Sequence, residues 1–121
     1  MKLYIDTTAT EYIEVALIDG KGGDIKRLRK SAFRKQSEYL LPLIDKLLSV
    51  AGIYPCDLDL IEVNNRGGSF MSLRIGVAVA NALGFAWGVK VKPLAGRAIN
   101  RKGMSIASAI YDRPPDIGKI K

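Results

Sequence analysis

The 121-residue sequence contains no histidine. That removes imidazole general acid–base chemistry, Ser-His and Cys-His nucleophile pairs, and His-ligated metal sites. Cysteine is nearly as scarce. Cys56 stands alone, so an internal disulfide and a thiolate zinc site are both excluded, and a cytoplasmic location is the default expectation. Long hydrophobic runs are missing too. The longest uncharged stretch, Ile75 to Val89, contains Asn81 and falls short of the ~18 apolar residues of a membrane span, so no membrane association is expected. The opening MKLYID meets an aspartate at position 6, which leaves no secretory h-region. Any chemistry would fall to carboxylates, lysines or bound phosphate, and no metal or cofactor is expected.

What is present is a globular composition. The hydrophobic share is 48% and the charged share 26%, which fits one domain around one core rather than a disordered chain. The formal net charge is +7. That favours an anionic partner, either a nucleic acid such as tRNA or an acidic protein surface; many small proteins are also simply basic.

Read for periodicity, residues 3–5, 12–18, 25–33, 59–63 and 89–91 predict strands, and residues 36–51 and 69–87 predict helices. The order β-β-β-α-β-α-β indicates an α/β fold with a mixed sheet covered by helices. The third strand carries Lys and Arg on both faces, which marks an edge strand. Beyond residue 93, Leu94 to Gly103 reads as a basic loop, Met104 to Tyr111 as a strand, and Asp112-Arg113-Pro114-Pro115 as the end of regular structure.

The helices say more. In the first, Ser37 is the expected N-cap, Gly52 the stop, and Pro42 falls near the first turn. Leu40, Ile44, Leu47 and Ala51 form one stripe, with Leu41 and Leu48 on one side and Leu43 and Val50 on the other. This apolar surface is wider than a single sheet contact needs. In the second helix, Ser72, Gly76, Ala80, Gly84 and Gly88 recur every four residues and line a shallow groove. A helix-interior glycine costs about 1 kcal/mol against alanine, so close approach of another backbone must compensate. Either this helix is buried within its own domain, or it is half of a pair shared with a partner.

Between fourth strand and second helix lies NNRGGSFMSLRIG. The Walker and dinucleotide glycine patterns are both absent. The stretch reads as a tight turn capped by Ser69, or as an anion cradle built on Arg66, Gly67 and Gly68. Lys26, Arg27, Arg29, Lys30, Arg34 and Lys35 form a basic cluster, either a solvated outer strand or a positive track for RNA.

The stretch GGSFMSLRIGVAVANALGFAWGVKV resembles the G-P-G-S-F-T-G-L-R-I-G signature and following helix of the bacterial TsaB (YeaZ) family. MKLYIDTTATEYIEVALID is similar to that family's I-D-T-S-T hairpin, KQSEYLLPLIDKLLSVAGIYPCDLDLIEV to its H-S-E-x-L-L-P-x-I-D-x-L-L segment, and YDRPPDI to its closing tail. The resemblance covers most of residues 1–93. Departures stand at Arg66-Gly67-Gly68, at Met71-Ser72 and at Gln36-Ser37-Glu38.

The resemblance implies a single actin-like ATPase (ribonuclease H-like) lobe over residues 1–93. A short C-terminal tail, 94–121, would pack on the same domain, giving a reduced form without the family's second lobe. It implies a non-catalytic scaffold or activator of a TsaD-type threonylcarbamoyltransferase in tRNA threonylcarbamoyladenosine modification, with a TsaE-like ATPase as further partner and homodimer formation when alone. Asp6-Thr7-Thr8 sits where an actin-like phosphate motif would be but lacks its glycine. The implied partner interface is Leu40, Leu43, Ile44, Leu47, Ser72, Gly76, Ala80, Leu83 and Gly84. Crowding it, as Ala80→Leu or Gly84→Leu, is expected to abolish partner binding and leave the fold soluble. The expected tRNA or anion contact is Lys26, Arg27, Arg29, Lys30, Arg34, Arg66, Gly67 and Gly68. Two other functions remain at this point: a stand-alone anion- or RNA-binding module, and a small actin-like ATPase or kinase lobe.

Overall fold

Period-two alternation in the first eighteen residues builds the centre of the sheet. Strand β1 (Lys2–Asp6) buries Leu3 and Ile5, and β2 (Tyr12–Ile18) buries Ile13, Val15 and Leu17 on the same face. The two pair antiparallel from Lys2↔Ile18 to Asp6↔Glu14. Strand β3 (Asp24–Ser31) adds antiparallel to β2. Strands β4 (Leu60–Val63) and β5 (Lys90–Pro93) add parallel on the other side of β1, giving the order β3-β2-β1-β4-β5. The computed structural model describes residues 1–97, 99–101 and 104–108.

Two parallel neighbours need crossovers, and the helices supply them. Helix α1 (Gln36–Ala51) links β3 to β4 and packs on β2 and β3; α2 (Phe70–Trp87) links β4 to β5 and packs on β4, β5 and β1. Leu40, Leu43, Ile44, Leu47 and Leu48 of α1 and Val77 and Ala80 of α2 join the inward strand residues in one core. By alternation, the other sheet face carries Lys2, Tyr4, Glu14, Arg27, Arg29 and Glu62, held by ion pairs Lys2–Glu62 (3.1 Å), Arg27–Glu14 (2.7 Å) and Arg29–Glu14 (2.8 Å).

Beyond β5, the short strands β6 (Ile99–Arg101) and β7 (Met104–Ile106) form a two-stranded ladder against β5 and α2. Two asparagines hold this segment by imitating backbone. Asn81 donates to the Ala107 carbonyl and accepts from its N–H, both at 2.8 Å. Asn65 donates to the Ala95 and Ser108 carbonyls and accepts the Ala95 N–H.

Several local expectations are corrected. The cap of α1 is Lys35, with no side-chain bond. A turn closed by Lys35 N–H to the Ala32 carbonyl starts the helix before Ser37 can cap it. Pro42 therefore falls in the second turn. β3 ends at Ser31, because that turn consumes the next residues, and β6 occupies part of the expected loop at 94–103. β7 begins at Met104 as expected and ends at Ile106; the tail motif and the 112–115 stop lie outside the described residues. By length and composition α2, at mean hydropathy 1.4, is long and apolar enough to cross a membrane. A count of uncharged residues alone hides this, because Arg74 lies inside the helix. Here α2 is laid along the sheet.

Candidate partner-binding face

The small-residue face of α2 is turned inward. A Cβ at Gly76 would come within 2.5 Å of Thr7 Oγ1. One at Gly84 would meet the Val89 carbonyl at 2.9 Å and overlap Val91 Cγ2. What these glycines admit belongs to the chain itself: the Thr7 side chain just after β1, and the Val89 carbonyl and Val91 side chain at the start of β5. Ser72, Gly76, Ala80 and Gly84 are buried, as are Leu40, Leu43 and Leu47 of α1. With Ile44, 2% exposed, eight of the nine residues expected at a partner interface are thus buried within the chain. The physical reason is that one sheet suffices to cover this stripe.

Leu83, half-buried, is the exception. It lines a groove of about 620 Å³ between the outer flanks of α1 and α2, with Leu41, Ile44, Asp45, Leu48, Ser49 and Trp87. The helical period sets this up, because Leu83 and Trp87 share one flank of α2, and Leu41 and Leu48 share the facing flank of α1. Gly52, at φ 68°, ends α1 in the left-handed region, and Ile53 N–H returns to the Leu48 carbonyl. A single 3₁₀ turn at Pro55–Asp57 follows, in which Asp57 accepts the Tyr54 N–H at 2.9 Å. This leaves Tyr54 71% exposed at the groove's end. Leu41 is half exposed, and Phe85 on α2 is 74% exposed. The contribution of residues 52–55 was missed; its signal is the apolar Ile53-Tyr54-Pro55 run directly after a helix-ending glycine.

At the carboxyl ends of β1 and β4 sits a closed polar cluster. Asp6 Oδ1 accepts from Thr8 N–H (2.8 Å) and Thr8 Oγ1 (2.6 Å), and Oδ2 accepts from Tyr4 OH (3.1 Å) and Asn64 Nδ2 (3.3 Å). A carboxylate has about four lone-pair sites, and all are taken. Burial first, then the Asp6 charge and hydrogen bond, push the Tyr4 phenol well above its usual range. Gly68, at φ 73°, is needed because a Cβ there would collide with the Thr8 backbone. Ser69 Oγ accepts the Ser72 N–H and caps α2. The glycines make a strand-to-helix turn that packs, at Gly68, on Thr8 just after β1.

The expected anion surface divides. Arg27 is held by Glu14 and Asp24, and Arg29 by Glu14. Hydrogen bonding to these carboxylates raises both guanidinium pKa values, and Asp24 is correspondingly lowered. Lys26, Lys30 and Arg34 make no ion pair with a described residue. Arg66, Gly67 and Gly68 lie on the loop after β4, three strands across the sheet from β3.

Comparison with known proteins gives a consistent family. The family model for "TsaD: tRNA N6-adenosine threonylcarbamoyltransferase" matches residues 29–98. The chain is 34% identical over 95 residues to a tRNA N6-adenosine threonylcarbamoyltransferase of Anaeromyxobacter dehalogenans, covering 78% of this chain and 26% of that protein. It is 30% identical over 87 residues to the tRNA threonylcarbamoyladenosine biosynthesis protein TsaB of Haemophilus influenzae, covering 72% of this chain and 36% of that one. The solved structure of YeaZ from Pseudomonas aeruginosa matches with a TM-score of 0.70 at 30% identity, over 78% of this chain and 43% of that one. The match to the curated relatives thus spans about a quarter to a third of their length. The described architecture is that of a single actin-like lobe.

Proposed function

This chain belongs to the TsaD/TsaB (YeaZ) family, and from that premise we propose that it is a non-catalytic partner subunit of a TsaD-type threonylcarbamoyltransferase. It docks through the groove between α1 and α2 and supports tRNA threonylcarbamoyladenosine formation in the cytoplasm. Residues 1–93 form the lobe, and the described residues that follow, to Ser108, join the same unit. The observation that carries this reading is the groove itself. Leu41, Leu83, Trp87 and Tyr54 present apolar surface in a concave strip that the described elements leave uncovered. Such a strip between two neighbouring helices is suited to helices of another polypeptide.

The non-catalytic assignment draws on the strand-end cluster. A nucleotide site of the actin type would need the Asp6 carboxylate to face a phosphate-bound ion, and its oxygens are occupied by Thr8, Tyr4 and Asn64. A TsaE-like ATPase would act on the assembled complex. Self-pairing of the same groove is the expected behaviour of the isolated chain.

The test is Leu41→Glu. Leu41 is half exposed, so the fold tolerates the change, at roughly 0.5 kcal/mol or less. A partner that covers the position would have to bury an unpaired carboxylate, at a cost of about 3 kcal/mol, or roughly a hundredfold in Kd. Calorimetric titration with the TsaD-type subunit of the same genome measures it. Unchanged affinity for a variant with an unchanged melting temperature would remove the groove from the interface.

A further inference from the structure

We propose that the corner where β3 turns into α1 binds an unpaired stretch of nucleic acid. Its bases stack on Phe33, and its phosphates meet Lys30, Arg34 and Lys35. This inference does not depend on the partner-subunit reading, because it rests on the corner's own chemistry.

The structure separates the basic residues by what already holds them. Arg27 and Arg29 are neutralised on the open sheet face by Glu14 and Asp24. Lys30, Arg34 and Lys35 have no ion-pair partner among the described residues. Two of them lie over aromatic rings instead: Lys30 Nζ is 5.1 Å from the Tyr39 centroid and Arg34 Cζ is 5.1 Å from the Phe33 centroid. Cations interleaved with rings at a surface are the elements of a single-strand platform, where each base offers a π-face and each phosphate a charge.

The turn is built to display this pair. Ala32 is buried, with its N–H on the Glu11 carbonyl, and Lys35 N–H closes the turn onto the Ala32 carbonyl at 2.8 Å. Phe33 and Arg34 are left at the tip, and Phe33 is 54% exposed. Arg34 adopts φ 59°, the one non-glycine residue with positive φ among those described. Glycine or asparagine would fit that conformation without strain. A long cation stands there instead, directly after an exposed phenylalanine.

The acids that face the corner are Glu11, just before β2, and Glu38, in the first turn of α1, both exposed and neither in an ion pair with a described residue. They are outnumbered by Lys30, Arg34 and Lys35, in a chain of net charge +7. With the charge excess this small, stacking must supply much of the affinity. Three phosphate contacts on a single strand give a log–log salt slope of about −2. A duplex hides its base faces and should bind more weakly.

Fluorescence anisotropy with labelled oligouridylate, oligothymidylate and a duplex of equal length tests the inference on the intact chain. Both single strands should bind better than the duplex; a preference for the RNA would add a 2′-hydroxyl contact. Phe33→Ala should weaken binding about tenfold with the salt slope unchanged. Arg34→Lys should bind nearly as the natural chain does. Arg34→Gly should bind about fivefold more weakly while melting at a higher temperature, since glycine relieves the turn. Absence of single-strand binding overturns the inference. So does equal binding of the duplex, equal competition by inorganic polyphosphate, or a Phe33→Ala variant of unchanged affinity. An Arg34→Gly variant that binds less and also melts lower would assign Arg34 a purely structural role and would overturn it as well.

Discussion

Replacing Gly84 by alanine sets two known effects against each other. In an exposed helix the change stabilises by about 1 kcal/mol, because alanine loses less backbone freedom. Here the new methyl would meet the Val89 carbonyl at 2.9 Å and overlap Val91 Cγ2. Neither neighbour yields easily. The carbonyl belongs to the turn that ends α2, where Val89 N–H bonds back to the Gly84 carbonyl at 3.0 Å. Val91 is 1% exposed in β5 and is β-branched, so its rotamer is restricted. Overpacking of this kind costs roughly 1–3 kcal/mol, and opening the helix end adds about 1 kcal/mol. The net is a loss of about 1–3 kcal/mol, or a drop of roughly 4–10 °C in Tm for a domain of this size. Thermal unfolding by circular dichroism measures it, with the exposed Ala82→Gly as a control for propensity alone. If Gly84→Ala raised the Tm, the inward packing of this face would be wrong. By the same reasoning Ala80→Leu and Gly84→Leu should give insoluble chain rather than soluble chain deprived of its partner.

Asn81→Leu should free the segment around Ala107 by removing a donor and an acceptor at once; the expected cost is about 2 kcal/mol, with faster amide exchange at residues 104–108 and unchanged exchange in β1. The Tyr4 phenol is held neutral by burial and by Asp6. Its raised folded-state pKa contributes stability that is fully present below the unfolded value of about 10 and is lost as pH rises toward the folded value. In an alkaline titration one phenol should therefore ionise only as the chain unfolds, and Tyr4→Phe should remove that late step. Ionisation of every tyrosine in a single transition near pH ~10 would contradict the cluster's geometry.

Much of the fold was legible because single-residue periods carry it. The alternation Leu3, Ile5 against Ile13, Val15, Leu17 marked the central hairpin, and the apolar recurrence from Gln36 to Ala51 marked α1 to its ends. Gly52, Ser69 and the charges on β3 marked a helix stop, a helix cap and a sheet edge for the reasons expected of them. The binding face was less legible. Period identifies which residues share a helix flank, but it does not say which neighbour each flank meets. Gly76 and Gly84 require a close neighbour, and nothing local distinguishes Thr7, Val89 and Val91 from a partner's helix. The stripe Leu40, Ile44, Leu47 and the adjacent pair Leu41, Leu48 look alike until the sheet takes one of them. The roles of Asn65 and Asn81 were hidden because an isolated asparagine serves caps, turns and clamps equally. The absent glycine already spoke against a phosphate motif at Asp6-Thr7-Thr8, but the four donors that occupy Asp6 come from tertiary placement and could not be read in advance.

The most direct measurement is amide hydrogen exchange on this chain with and without the purified TsaD-type subunit. Docking in the α1–α2 groove predicts protection confined to the turn at residues 52–55 and to the amides near Leu41, Leu48, Leu83 and Trp87, with β2 and β3 unchanged. Protection that appears on the open sheet face, with the two helix flanks left untouched, would contradict it.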